Sequence, residues 1–347
     1  MKESDKKQLT NLIATTGLTA AAFLATQKAY NAIFRRYNRP NYELTPGLIC
    51  FERIKEKINR ERLTFVSGKN KLNAYYYQIN KPNGLVILVH GFRSAADEYL
   101  PITLYFLKNG FNVFTYDGTG TYESEGKYLV GFMQQLVDLD YALKYVENDS
   151  RFKGLPVFLL GHSCGGYAVN SILCKRKNVQ AVASISAVNN CYTLAVDKGQ
   201  QYGGELAIGG IPKTFLDVYQ KKLFGAYTEF DSTKGINSAP IPIFVAHGLQ
   251  DKVISFEAQS VISHRGEFIN PNVKFYYGTG NQCGHYTIWH SSRANRYKEE
   301  VDNHLKSIAK DAVARKEYVS DVNHYLYSEI NQELFDSIKE IFKNSLK

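Results

Sequence analysis

The sequence predicts an α/β protein with an eight-stranded, mostly parallel sheet and helices on both faces. Short apolar runs alternate with stretches of helical apolar spacing, and the first two runs form a hairpin pattern. Of the 347 residues, 44% are hydrophobic, which is enough to bury a large core. The predicted strands are Leu63–Val66, Leu72–Ile79, Leu85–Val89, Asn112–Tyr116, Pro156–Leu160, Gln180–Ile185, Ile241–Ala246 and Val273–Tyr277.

The first two runs flank a turn at Ser67-Gly68-Lys69-Asn70. Two β-prone runs joined by a short turn that contains glycine are typical of an antiparallel hairpin. The later strands are separated by helical stretches, among them 97–109 and 132–148, and such βαβ units predict parallel pairing. Helical spacing in the second stretch is carried by Leu136, Leu139, Leu143 and Val146.

The segment 189–238 is too long for an ordinary connection. It contains several glycines and then an amphipathic piece, Lys213–Phe224. An insertion of this size predicts a small helical lid or binding element. Residues 309–347 form a predicted C-terminal helical extension, whose last helix could pack on the core or face a partner or a membrane. That helix is predicted to carry Leu326, Ile330, Leu334, Ile338, Ile341 and Phe342.

Residues 1–40 are predicted to form an N-terminal helical segment, and 41–347 one domain. Leu9 to Thr26 is poor in charge, but its 18 residues barely reach membrane-spanning length and include five threonines. A membrane anchor, an interfacial or docked amphipathic helix and a cleaved signal peptide all stay open. The sequence after it, Tyr30 to Leu48, has the composition of a polar connector. The chain is therefore predicted to be cytoplasmic or membrane-associated.

The net charge of +9 comes from 42 basic and 33 acidic residues spread along the chain. Without a run of like charges, this balance predicts solubility or mild membrane affinity, and no nucleic-acid partner. The five cysteines are odd in number and widely spaced, which predicts neither a disulfide framework nor a metal site. No cofactor is expected.

The most informative motif is Gly161-His162-Ser163-Cys164-Gly165, which follows an apolar run and opens a predicted helix. A nucleophile on a sharp strand-to-helix turn needs nearly side-chain-free positions two residues before and after it, and glycine occupies both. If Cys164 were the nucleophile, the ring of His162 would occupy one of these positions. The spacing therefore favours Ser163.

Two further motifs follow predicted strands. His247-Gly248-Leu249-Gln250-Asp251 follows the seventh, and Cys283-Gly284-His285 follows the eighth. With the elbow and His90-Gly91-Phe92 after the third strand, residues 60–305 resemble the α/β-hydrolase superfamily, especially its serine aminopeptidase-like and monoacylglycerol-lipase-like branch. The resemblance implies the α/β-hydrolase fold, with a small helical lid between the sixth and seventh strands.

By this resemblance Ser163 is the nucleophile, His285 the general base and Asp251 the acid that orients it, in the chain order that the fold uses. Chemistry supports these roles, because a serine hydroxyl is a poor nucleophile until a base takes its proton. The resemblance also implies an oxyanion hole formed by the backbone N–H groups of Phe92 and Cys164.

Other side chains compete for these roles. His90 and His247 lie beside glycines at strand ends and are predicted to brace loops, while His162 points away from the serine. His290 is the nearest rival of His285, but it is expected in a helix. Among the acids, Asp117 resembles a structural aspartate of the family, and Asp197 lies in the predicted lid.

A serine at the elbow implies acyl transfer to water. The predicted substrate is a carboxylic ester of a lipid-like or medium-chain acid, with amide, peptide and thioester substrates as alternatives. A transferase that uses the same acyl-enzyme and a non-catalytic binding protein of this fold are further alternatives. The sequence gives no prediction of the oligomeric state.

Overall fold

The computed structural model describes residues 20–21, 23–25, 27–28, 30–47, 49–55, 58–195 and 213–346. Within these residues, eight strands form one sheet in the order 1-2-4-3-5-6-7-8. Strand 2 is antiparallel to strands 1 and 4, and all other neighbours are parallel. The strands are β1 (Glu61–Ser67), β2 (Asn70–Tyr77), β3 (Leu85–Val89), β4 (Asn112–Tyr116), β5 (Val157–His162), β6 (Ala181–Ile185), β7 (Ile243–Gly248) and β8 (Val273–Gly278).

Helices cover both faces of this sheet. Short 3₁₀ turns, including Ala96–Tyr99, Gly225–Glu229 and Thr287–Trp289, connect some of them. Numbered in chain order, the helices used below are α1 (Phe51–Ile54), α2 (Leu100–Lys108), α3 (Gln134–Asn148), α4 (Cys164–Ser171), α5 (Lys213–Phe224), α6 (Ser232–Asn237), α7 (Ser292–Ser307), α8 (Ala312–Asp321), α9 (His324–Tyr327) and α10 (Gln332–Asn344).

Alternate side chains of β3 enter two separate apolar clusters. Leu85 and Ile87 pack with α3 and α4 on one face, whereas Val86 and Leu88 pack with α2 and α10 on the other. This two-sided burial explains why the central strands are continuous apolar runs. The predicted fold class, including its eight-stranded, mostly parallel sheet, is confirmed.

Two predicted helices begin later than expected. The stretch from Asp97 starts as a 3₁₀ turn, and α2 proper begins at Leu100 with Pro101 in its first turn. The last helix was expected to include Leu326, but α10 begins at Gln332, because the side chain of Asn331 accepts a hydrogen bond from the Leu334 N–H and caps it. Leu326 lies in α9 instead.

Helix α10 packs in the core, as the simpler interpretation predicted. Phe342 stacks on Phe158 of β5 with ring centroids 4.8 Å apart, and Phe335 packs against Phe106 of α2. Each buried aromatic ring of this kind stabilises the fold by about 2–3 kcal/mol. The C-terminal segment is therefore part of the layer that covers the sheet.

The predicted lid follows β6, and hydrogen bonds join the residues near its two ends. The carbonyl oxygen of Asn189 accepts from the Ser232 N–H, and its side chain accepts from the Thr233 N–H. Residues 191–195 are helical, and α5 and α6 lie between residue 213 and β7. Residues 196–212, which include Asp197, lie outside the described residues.

The predicted connector after Tyr30 is docked on the domain. Arg35 and Tyr37 form isolated bridges with Tyr128 and Thr121 in the loop after β4. The described residues from 20 to 33 are helical. Most of Leu9 to Thr26, where an anchor was predicted, lies outside the described residues. None of the helices in the described ranges has both the length and the apolar character for crossing a bilayer.

Candidate active site

Ser163 lies at the turn between β5 and α4. Its φ of 57° and ψ of −122° are unfavourable for a residue with a Cβ atom. The turn is held by a hydrogen bond of 2.9 Å from the Ser163 N–H to the carbonyl oxygen of Ile185 in β6. Strain of this kind persists only where the surrounding structure imposes it, and it is common at functional sites.

The two glycines of the motif are sterically required. A Cβ atom at Gly161 would lie well inside 3.0 Å of the backbone of Gly165, and one at Gly165 would lie equally close to the carbonyl oxygen of Val89. Real Cβ atoms do not approach backbone atoms so closely. The elbow can therefore form only if both positions lack side chains.

The Gly165→Ala substitution is expected to destabilise the protein by about 3 kcal/mol, the upper end of the usual cost of overpacking, because the rigid β3 backbone cannot move away from the new methyl group. Chemical denaturation would measure this change. Gly266→Ala is the matched control, since nothing lies within 4 Å of a Cβ at that position and no positive φ applies there. Equal stability of the two variants would contradict the steric argument.

Asp251 and His285 form a buried pair at the carboxyl ends of β7 and β8. The Nδ1 atom of His285 lies 2.7 Å from Oδ2 of Asp251, and both side chains are almost fully shielded from water. The other carboxylate oxygen, Oδ1, accepts hydrogen bonds from the N–H groups of Val253 and Ile254. The carboxylate is therefore fixed in the orientation that places one oxygen on the imidazole.

His247 also contacts Asp251, which the sequence analysis did not predict. Its Nε2 lies 3.2 Å from Oδ2 of Asp251 and 3.0 Å from the carbonyl oxygen of Ile254. Burial opposes ionisation of Asp251, but the hydrogen bonds from His247 and His285 outweigh it and hold the pKa of the carboxyl well below its usual range. Asp251 is therefore a carboxylate at neutral pH.

The two predicted oxyanion donors belong to α4 and to the loop after β3. Cys164 is the first residue of α4, so its N–H has no partner within the helix. The His90-Gly91-Phe92 loop passes close by, since a Cβ at Gly91 would lie 3.2 Å from Cβ of Ser163. Among the described residues, no hydrogen bond engages the N–H of Phe92. An oxyanion-binding role for these two groups stays a prediction.

A chain of hydrogen bonds links the loop, the elbow and His285. The Gly91 N–H donates to the Tyr99 hydroxyl (3.1 Å), which donates to Nδ1 of His162 (2.7 Å). Nε2 of His162 then donates to the carbonyl oxygen of His285 (3.0 Å). Burial and the neighbouring His285 ring lower the pKa of His162 to about 3, so this ring is neutral. The hydrogen bonds of this ring are with Tyr99 and with the backbone of His285.

The lowered pKa of His162 predicts a pH-dependent stability. A histidine of the unfolded chain has a pKa of about 6.5. Below that pH the unfolded chain therefore binds a proton at this position, whereas the folded protein keeps the ring neutral down to about pH 3. Above about pH 6.5 this histidine does not reduce the stability of the fold. As the pH is lowered from there toward about 3, the free energy of unfolding falls by up to about 1.4 kcal/mol per pH unit.

In the His162→Gln variant the amide can still accept from Tyr99 and donate to His285, but it does not titrate. Between about pH 7 and pH 5 we expect the variant to lose about 2 kcal/mol less unfolding free energy than the wild type. Urea denaturation across this range would measure the difference. Parallel curves for the two proteins would contradict it.

The rival side chains have other roles. His90 braces the loops after β3 and β4, because its Nε2 accepts from the Gly118 N–H at 3.0 Å. Asp117 accepts from the Tyr75 hydroxyl and the Ala96 N–H, and burial raises its pKa to about 6. His290 is not helical, contrary to prediction: it lies between a 3₁₀ turn and α7, where its ring accepts from Lys298.

The hydroxyl of Ser163 forms no hydrogen bond with the His285 ring in the described part of the chain. Contacts between a nucleophile and its base are often long without substrate and tighten when it binds. Among the residues that the structure describes, no group of three His, Cys, Asp or Glu side chains could hold a metal ion. The arrangement contains a strained serine and a histidine paired with a carboxylate, which together suit acyl transfer.

Known proteins are similar to parts of this chain. A family model described as serine aminopeptidase S33 matches residues 80–196. Monoglyceride lipases match with 26% identity over 107 residues (Saccharomyces cerevisiae) and 28% over 123 residues (human), or 30% and 35% of this chain. These matches span only 34% and 38% of the two lipases, so the chain covers little more than a third of their length.

An esterase structure from Pyrococcus furiosus superposes with a TM-score of 0.53 and 20% identity, covering 81% of this chain and 98% of the esterase. At this identity the likeness shows the fold. Together with the family match, it confirms the predicted resemblance to the α/β-hydrolase superfamily and to its monoacylglycerol-lipase-like branch.

Proposed function

We propose that this protein is a serine hydrolase that cleaves carboxylic esters through an acyl-enzyme intermediate. The observation that carries the proposal is the buried hydrogen bond of 2.7 Å between His285 and Asp251. It lies at the carboxyl ends of the parallel strands, where the strained Ser163 also follows its strand. Similarity to monoglyceride lipases over part of the chain supports the same reaction class.

In the acylation step, Oγ of Ser163 bonds to the acyl carbon while Nε2 of His285 takes the hydroxyl proton. Asp251 holds the Nδ1–H of the ring and stabilises its positive charge. The carbonyl oxygen becomes an oxyanion, which the N–H groups of Phe92 and Cys164 bind. The intermediate collapses, and the alcohol leaves with the proton from His285. In deacylation, water takes the place of the serine hydroxyl, and His285 again transfers the proton.

A lipid-like or medium-chain acyl group is the substrate that we favour. Large apolar side chains are exposed next to the pair of acid and base: Leu249 and Val253 flank Asp251, and Tyr286 follows His285. An acyl chain laid over them would remove apolar area from water, which stabilises binding by about 25 cal/mol per Å². The monoglyceride lipase relatives act on lipid esters by name, which points the same way.

The family description favours one alternative, an amidase or peptidase of the same mechanism. Esters of p-nitrophenol with rising chain length, a monoacylglycerol, and aminoacyl p-nitroanilides would separate the two. We expect the highest kcat/KM for a medium-chain or longer ester. Preference for the amides over every ester would overturn the ester assignment, and transfer of the acyl group to an added alcohol would indicate a transferase.

A fluorophosphonate probe tests the nucleophile independently of substrate. We expect covalent labelling of the folded protein at Ser163. Absence of labelling would overturn the hydrolase proposal and favour a non-catalytic binding protein of this fold. Membrane association through residues 9–26 stays a prediction, and comparison of membrane binding by the full chain and by a chain without residues 1–26 would test it.

A further inference from the structure

Residues 30–37, here called the brace, contact the loop 92–98 at three points. The ring of Phe34 lies edge-on to the ring of Phe92, with centroids 5.5 Å apart. The carbonyl oxygen of Ile33 accepts from the Arg93 guanidinium at 2.9 Å, and the Tyr37 hydroxyl donates to Glu98 at 3.0 Å. Phe34 is only 2% exposed, so its contact belongs to the interior.

The brace also contacts the lid helix α5. The ring of Tyr30 lies edge-on to Tyr219 with centroids 5.1 Å apart, and its hydroxyl accepts from the side chain of Gln220 at 3.2 Å. These three side chains are buried. One short segment therefore contacts both the loop that carries Phe92 and the helix of the predicted lid.

The brace is in turn fixed to the loop after β4. The Leu129 N–H donates to the carbonyl oxygen of Phe34 at 2.8 Å, and the Tyr37 N–H donates to Gly120 at 3.0 Å. The Arg36 guanidinium donates to the carbonyl oxygens of Ser124 and Gly126 at 2.9 and 2.8 Å. A segment with backbone bonds at Phe34 and Tyr37 and a part-buried cationic contact between them is a rigid support.

The loop that carries Phe92 needs such a support. Arg93 has a φ of 51°, in the left-handed region that is unfavourable for residues with a Cβ atom. The residues of this loop that precede the 3₁₀ turn Ala96–Tyr99 lie in no helix or strand whose hydrogen bonds would hold them. Contacts from outside the loop must therefore hold the Phe92 N–H where an oxyanion could reach it, and the brace supplies three of them.

We propose that residues 30–37 hold the Phe92 N–H in its oxyanion-binding position and join it to the lid helix, with Phe34 as the positioning residue. The inference rests on the proposed function and extends it, because the brace lies outside residues 80–196, which the family model matches. The lid helix and the loop that carries the oxyanion donor are then held by the same segment.

Phe34→Leu tests the proposal, and Phe335→Leu is the matched control. Both phenylalanines are buried, but Phe335 belongs to α10, which covers the other face of the sheet. We expect Phe34→Leu to lower kcat for a medium-chain p-nitrophenyl ester by about 10- to 100-fold, since small displacements of catalytic groups have effects of this size. KM should stay within about twofold, and the control should retain kcat while losing stability.

Binding of a medium-chain trifluoromethyl ketone separates positioning from a general structural role. This inhibitor forms a tetrahedral oxyanion with the serine, so its affinity should fall by the same factor as kcat in Phe34→Leu. A non-hydrolysable ether analogue of the ester forms no oxyanion and should bind unchanged. If Phe34→Leu behaves like Phe335→Leu in kcat and in both affinities, the proposal is overturned.

Hydrogen exchange provides a readout that does not depend on activity. Phe34→Leu should speed amide exchange in both 92–98 and 213–224, whereas Phe335→Leu should change neither. Tyr30→Phe, which removes only the bond to Gln220, should speed exchange in 213–224 alone. If the wild type neither cleaves esters nor reacts with the fluorophosphonate, the proposed function fails. Unchanged exchange in Phe34→Leu would instead overturn the brace itself.

Discussion

Replacement of Ser163 by alanine is expected to lower kcat/KM for ester substrates by about 10⁴- to 10⁶-fold, because the acyl-enzyme can no longer form. The residual rate should be that of an oxyanion site acting on bound substrate without a nucleophile. Labelling by the fluorophosphonate should disappear at the same time. Both readouts use one protein preparation, so they can be compared directly.

The substitution should leave the fold intact. Ser163 is held by backbone hydrogen bonds, which alanine keeps, and alanine tolerates the same φ no worse than serine. Unfolding free energy should therefore stay within about 1 kcal/mol of the wild type. Ser307→Ala, on the surface of α7, is the control and should keep full activity and labelling. Activity retained in Ser163→Ala would place the nucleophile elsewhere, with Cys164 the first candidate.

The elbow could be predicted from the sequence because its geometry depends on local sterics. Gly161 and Gly165 are needed wherever a strand turns this sharply into a helix. The collision at Gly161 lies within the five-residue motif, whereas the one at Gly165 is with the carbonyl oxygen of Val89 in the neighbouring strand β3. The acid and base motifs were likewise recognisable at strand ends. Adjacent parallel strands bring their carboxyl ends together, so positions 34 residues apart form one hydrogen bond.

Contacts between side chains of distant, irregular segments could not be predicted. Phe34 and Phe92 are 58 positions apart and carry no periodic signal, so Tyr30 to Leu48 had only the composition of a connector. His247 was expected to brace a loop, which it does. Its second contact, with Asp251, depends on how the loop after β7 folds back onto the carboxylate, and no residue pattern encodes that path.

Helix ends were less predictable than helix existence. The apolar spacing of α10 continues back to Leu326, but the bridge between His290 and Ile330 and the cap at Asn331 start the helix later. His290 was predicted in a helix because the sequence pattern does not show where α7 begins. The side chain of Ser291 caps that helix, which leaves His290 outside it. Capping contributes only about 1 kcal/mol, which periodicity does not reveal.

The Asp251→Asn substitution is expected to invert the tautomer of His285. Oδ1 of Asp251 accepts from the N–H groups of Val253 and Ile254, so the carbonyl oxygen of an asparagine would take that position. Its NH₂ group would then face Nδ1 of His285 and donate to it. The ring proton would move to Nε2, where the base must be free to accept from Ser163.

We therefore expect kcat for esters to fall by about 10⁴-fold in Asp251→Asn, with KM little changed, because the wrong tautomer cannot take the serine proton and no carboxylate stabilises the imidazolium. Asp140→Asn makes the same chemical change at a buried aspartate that pairs with Lys175 and Arg176 outside the site. Its kcat should stay within about threefold of the wild type while its stability changes. Steady-state kinetics and denaturation of both variants would decide. A kcat for Asp251→Asn above about a tenth of the wild-type value would mean that His285 keeps its tautomer without Asp251, and the orienting role would then have to pass to another group.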